Sequence, residues 1–103
     1  MNQKELQQRN VCDVQTVLSS ASGRRVLFRI LQAAQLDQHG FVPGDPSATA
    51  FHCGQKSIGL FLRTLLEEAA PGICGQLCAE YAAEVKLLQD ELNRRQKEEL
   101  NDE

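Results

Sequence analysis

One stretch constrains the fold more than any other. Residues 49–69 read T-A-F-H-C-G-Q-K-S-I-G-L-F-L-R-T-L-L-E-E-A. Phe51, Ile58, Leu62, Leu65, Leu66 and Ala69 recur at spacings of three, four and seven, which places them on one side of an α-helix. The stripe is wide enough to anchor a small core. Gly54 and Gly59 lie inside it, and each costs roughly 1 kcal/mol against Ala in a helix interior. A neighbouring helix in close approach compensates such a cost most simply. The two glycines fall five residues apart, about 140° round the helix, so one neighbour cannot use both. Gly59, in the Ile58/Leu62 sector, is expected to receive the helix over Val26–Ala34. Gly54 is left for the loop around Phe41 or for a partner protein.

At 103 residues the chain is one domain able to bury a modest core without disulfides or metal. The formal charge is −3 with both signs interspersed, which argues against a general polyanion binder. There is no Trp and one Tyr, so no aromatic platform for stacking single-stranded bases is expected. No apolar run is long enough for a membrane span, and the polar start Met1-Asn2-Gln3-Lys4-Glu5 carries no secretory h-region. The expected compartment is reducing, and Cys12, Cys53, Cys74 and Cys78 are read as thiols.

Residues 1–10 are rich in Gln and are expected to fray. From Val11, the residues Val11, Val14, Val17 and Leu18 share a helical face. The run Ser19-Ser20-Ala21-Ser22-Gly23 breaks it, with Ser22 as candidate N-cap of a second helix over 23–36. Val26, Leu27, Ile30, Leu31 and Ala34 form the expected buried stripe of that helix, while Arg25, Arg29 and Gln32 form its wet face. Residues 37–47 form a loop, because Gly40, Pro43, Gly44 and Pro46 disfavour helix and central strand. Pro43-Gly44 suits the central pair of a type II turn. Phe41 and Val42 are expected to fold back as a plug over the core. Ser47 or Thr49 caps the central helix, which stops before Pro71-Gly72. In the last helix Cys74, Cys78, Tyr81, Val85, Leu88 and Leu92 average close to 3.6 residues per step, one face of a nearly straight helix. Asp90–Arg94 and Glu91–Arg95 are acid-before-base pairs at i,i+4. The apolar stripe ends at Leu92, yet helical character continues to about Leu100. The reading is an all-α bundle of three to four helices: a helical domain over 11–92, with a charged helix extension or tail over 93–103. The second and central helices pair antiparallel, and the first and last cover them.

No constellation points to catalysis. Cys74 and Cys78 at i,i+4 share a face, and His52-Cys53 would complete four zinc ligands. Adjacent residues diverge by about 100° on a helix, however, so cysteines packed as small apolar side chains fit better. The same divergence disqualifies His52-Cys53 as a nucleophile–base pair. No isolated carboxylate pair and no phosphate-binding loop is present, so no catalytic, cofactor-binding or metal residue is assigned. Three short helices invite a helix-turn-helix reading for Arg24, Arg25 and Arg29. The 37–47 connection is much longer than the 3–4-residue turn of that motif.

Gly23-Arg24-Arg25-Val26-Leu27-Phe28-Arg29-Ile30-Leu31 follows a G-R-R-x-L-aromatic-R-L-L pattern. Thr49–Leu60 is similar to T-A-aromatic-x-x-G-x-R-x-x-G-L, with Lys56 at the position the pattern gives to Arg. Together, over about 11–81, these blocks resemble the Bbp-nineteen-like domain family, small proteins encoded among the virion genes of podovirus-type tailed phages. The resemblance implies a phage particle or its assembly, in the virion or the bacterial host cytoplasm. Taken with the helical composition and the overlong charged C-terminal helix, it leads to the expectation of a non-enzymatic protein that binds other phage structural proteins or itself. The alternative is a small DNA- or host-factor-binding regulator. Candidate partner-binding residues are Arg24, Arg25, Phe41, Gly54, Lys56, Arg94 and Arg95. Arg25 and Lys56 are read rather as pairing within the fold, with Glu67, Glu68 or Glu84 as candidate acids.

Overall fold

The computed structural model describes residues 1–102. The first three helix starts are each fixed by an N-cap side chain that takes an orphan backbone N–H. Asn2 Oδ1 accepts from Glu5 N at 2.8 Å and opens α1, Gln3–Leu18. Ser20 Oγ accepts from Gly23 N at 3.0 Å and opens α2, Ala21–Ala33. Asp45 Oδ1 accepts from Ala48 N at 3.0 Å ahead of Pro46, which begins α3, Pro46–Ala69. Proline at that place loses no bond, since its missing N–H would be unpaired anyway. The last helix, α4, runs from Ile73 to Asn101. Among the described residues all regular structure is helical, and no helix is long and apolar enough to cross a membrane.

Several boundaries differ from expectation for identifiable reasons. The first helix begins at Gln3 rather than near Val11, because Asn2 caps it and Gln, Lys and Glu are good helix formers. Residues 3–10 are thus helical, although all are exposed. Ser20 replaces Ser22 as cap because α2 starts directly after α1. A Cβ on Gly23 would overlap the Val17 carbonyl, so glycine is what allows this tight junction. Asp45 replaces Ser47 and Thr49 as the cap of α3. Thr49 instead secures the loop: its Oγ1 accepts from Val42 N at 2.9 Å. Within that loop Asp45 N donates to Val42 O at 3.1 Å across Pro43-Gly44, and Gly44 has φ +76°, as a type II turn requires.

The core is small. Leu18, Leu66, Ile73 and Leu77 form its buried cluster, with Val14, Leu27, Phe28, Leu31, Leu62, Ala70 and Cys74 packed around it. Every helix contributes, and all contributions come from the region where α1 ends and α3 turns into α4. Gln15 Nε2 donates to Ala69 O at 2.9 Å and ties α1 to the end of α3. At the far end of α2, Gln55 donates to the Ala33 carbonyl and Ala34 lies against Gly59. The close approach expected at Gly59 is therefore made by the final residues of α2.

The expected stripe of α3 divides in two. Leu66 and Ala69 are buried, but Phe51 and Ile58 remain 68% and 66% exposed. Val26 and Ile30 of α2 are likewise exposed. Phe41 does not plug the core; it is 71% exposed. The molecule is flat and long, 69 × 44 × 17 Å along its principal axes, so its helices cover one another only near one end.

Candidate interaction surface

The polar side chains nearest the core are occupied with holding helices together. Arg24 is central. Its Nε donates to both carboxylate oxygens of Glu80 at 3.0 Å, and its Nη1 donates to Leu18 O at 2.9 Å. One guanidinium thus satisfies an end carbonyl of α1 and clamps α2 to α4. Bonds from Gln76 and then from Arg24 hold the Glu80 carboxyl below its ordinary pKa. Glu67 does the same work at the α3–α4 turn. It accepts from Gly72 N at 2.6 Å and Cys74 N at 3.2 Å, capping a helix that begins with no cap side chain of its own.

Those two backbone bonds, Gly72 first, hold the Glu67 carboxyl below its ordinary pKa. A carboxylate with a folded pKa lower than its unfolded one stabilises the fold fully above the unfolded value. That contribution disappears as pH falls through the folded value. Urea unfolding across about pH 5 to pH 2 is expected to show this loss. Glu67→Gln should flatten that part of the profile and lower stability at neutral pH.

Cys74 sits beside Glu67 and half against the core. Burial first, then the hydrogen bond to Glu67, pushes its thiol pKa up to about 11, so at neutral pH it is protonated and a poor nucleophile. Cys12, Cys53 and Cys78 are exposed free thiols rather than packing residues. His52 bonds to Gln55 at 3.1 Å. Among the described residues no three His, Cys, Asp or Glu side chains converge closely enough to hold a metal ion.

The candidate partner-binding residues separate into distinct environments. Arg24 is the internal clamp described above, whereas Arg25 is exposed and reaches only Ser22 Oγ, at 3.2 Å. The internal pairing expected of Arg25 and Lys56 is thus made by Arg24, and the acid it finds is Glu80 rather than Glu67, Glu68 or Glu84. Lys56 is partly buried and makes no ion pair among the described residues. Gly54 faces open space, with no atom within 4 Å of where its Cβ would lie. It belongs to the exposed side of α3, with Phe51, Ile58 and Phe61. Arg94 pairs with Glu98 at 3.1 Å and Glu91 at 3.8 Å instead of Asp90, while Arg95 pairs with Glu91 at 2.9 Å as its spacing predicts.

The apolar surface left over is concentrated on two helices. One part is the N-terminal half of α3. The other lies along α4, where every residue from Tyr81 to Leu100 is exposed, Val85, Leu88 and Leu92 included. Where this stripe meets α2 there is a groove of about 470 Å³. Phe28 and Tyr81 form its floor with ring centroids 4.9 Å apart. Val26, Arg25 and Arg29 make one wall; Glu84, Val85 and Leu88 make the other. Periodicity identified the stripe, but nothing in the sequence indicated that a groove lined by Arg24 and Glu80 would lie beside it.

No curated protein and no solved structure matches the chain. Residues 14–74 match the family model described as Bbp19-like phage protein. That segment runs from the second half of α1 to the first turn of α4, and leaves the exposed part of α4 outside it. It covers more than half of the 103 residues and falls within the span identified from the two sequence blocks. The chain belongs to the Bbp19-like phage protein family.

Proposed function

We propose that this phage protein is a non-enzymatic structural or assembly component that acts by binding other proteins, in the virion or in the host cytoplasm during assembly. The observation that carries this reading is the exposed apolar stripe of α4, Tyr81, Val85, Leu88 and Leu92, on a helix that continues past its own core. Contiguous apolar surface on a small chain marks an interaction site. The outer face of α3 around Gly54 offers a second place for contact. The non-enzymatic part of the reading is supported by how the reactive groups are used. Glu67 and Glu80 are committed to capping and clamping, and Cys74 is held as a thiol.

Mass spectrometry of purified particles, with co-purification from infected cells, tests the proposal. The expected result is the chain in the particle, or in complex with a phage structural protein. Its absence from particles together with failure to retain any phage protein would remove it.

A further inference from the structure

We infer that the groove between α2 and α4 is filled by α4 of a second copy of this chain, lying antiparallel to the first. This rests on the protein-binding reading above and names its partner. The first support is the spacing of the stripe. Tyr81, Val85, Leu88 and Leu92 are separated by four, three and four residues, a sequence that reads the same in both directions. An antiparallel copy centred between Val85 and Leu88 sets Tyr81 against Leu92, Val85 against Leu88, and the reverse. Every apolar residue of the stripe then meets an apolar residue, as knobs on facing helices must. The contact is isologous, so it closes at two copies.

The second support is charge. Arg25 and Arg29 line the groove on its α2 side, and neither forms an ion pair among the described residues. The same flank of α4 carries Glu84 and, seven residues on, Glu91. In the centred register Glu91 of the second copy, which pairs with Arg95 of its own helix at 2.9 Å, comes level with Ala82, beside Tyr81, where the arginine wall would share its carboxylate. Glu84 of the first copy lies at nearly the same level, so two carboxylates approach there and the arginines are needed between them. One surface therefore carries both the apolar ridge and the groove that receives it, with Arg25 and Arg29 on one wall of the groove and Glu84 on the other.

The experiment is sedimentation equilibrium of the full chain across the micromolar range, with helix content followed by circular dichroism. The wild-type chain is expected to approach twice its 11.5 kDa mass as concentration rises. Leu88→Asp should remain at the single-chain mass with unchanged helix content, because Leu88 is 57% exposed and outside the buried cluster. Ile58→Asp, on the outer face of α3, should still pair. Arg25→Glu should weaken association severalfold. A wild-type chain that stays single throughout, or a dimer indifferent to Leu88→Asp, overturns the inference. Either outcome leaves the broader protein-binding proposal to particle composition, which is measured separately.

Discussion

Gly59→Leu is expected to lower the midpoint of the thermal transition of the purified chain by many degrees. A Cβ at this position would overlap the Cβ of buried Ala34 and lie 2.9 Å from Leu36 Cδ2. Leu36 can move, but Ala34 belongs to the end of α2, so its retreat separates two helices. Overpacking a well-filled site costs typically about 1–3 kcal/mol and occasionally more. A domain with so small a buried cluster sits near the low end of the ~5–15 kcal/mol available to folded domains. Gly54→Leu supplies the contrast. It adds the same side chain to the same helix where no neighbour lies within 4 Å. There the change should be neutral or gain up to ~1 kcal/mol from helix propensity. Thermal denaturation of the two variants side by side checks both statements.

The second large effect concerns Leu66 and Leu77, each 1% exposed and the largest fully buried side chains. Truncating either to Ala should cost about 3 kcal/mol, the transfer of the lost carbons plus the cavity left behind. Both belong to the cluster with Leu18 and Ile73, so the double variant should depart from additivity. Phe51→Ala and Ile58→Ala remove as much apolar surface from the sequence pattern, yet should stay within roughly 0.5 kcal/mol, because their side chains face solvent. Urea titration resolves a difference of this size.

That contrast shows where the sequence was informative and where it stopped. Periodicity identified α3 and the side of it that carries apolar residues. It carries no information on which half of that side another helix covers. Coverage depends on where α1, α2 and α4 lie, and in this chain they converge around Leu66 and leave Phe51 and Ile58 uncovered. Gly59 was legible because a glycine in an apolar helical sector has few uses besides close approach. The choice of Arg24 over Arg25 was not. Neighbouring arginines point about 100° apart, and the deciding partner, Glu80, lies 56 residues away. Ser20 and Ser22 are equivalent caps by composition, and the fit of Gly23 against the Val17 carbonyl selects between them. Asp90 and Glu98 both lie four residues from Arg94, so spacing alone does not choose between them, and the pair formed is with Glu98. The family was legible in the Gly-Arg-Arg and Thr-Ala-Phe blocks, which fall within the matched segment. The exposed part of α4 lies beyond that segment, so its role is argued from its surface alone.

The central claim is that the outer part of α4 is a docking element completed by another helix. Amide hydrogen exchange as a function of protein concentration tests it most directly. Amides between Tyr81 and Leu92 should become more protected as concentration rises, while those around Leu66 and Leu77 should not change. Protection across Tyr81–Leu92 that stays at the level of an isolated helix at every concentration would contradict it.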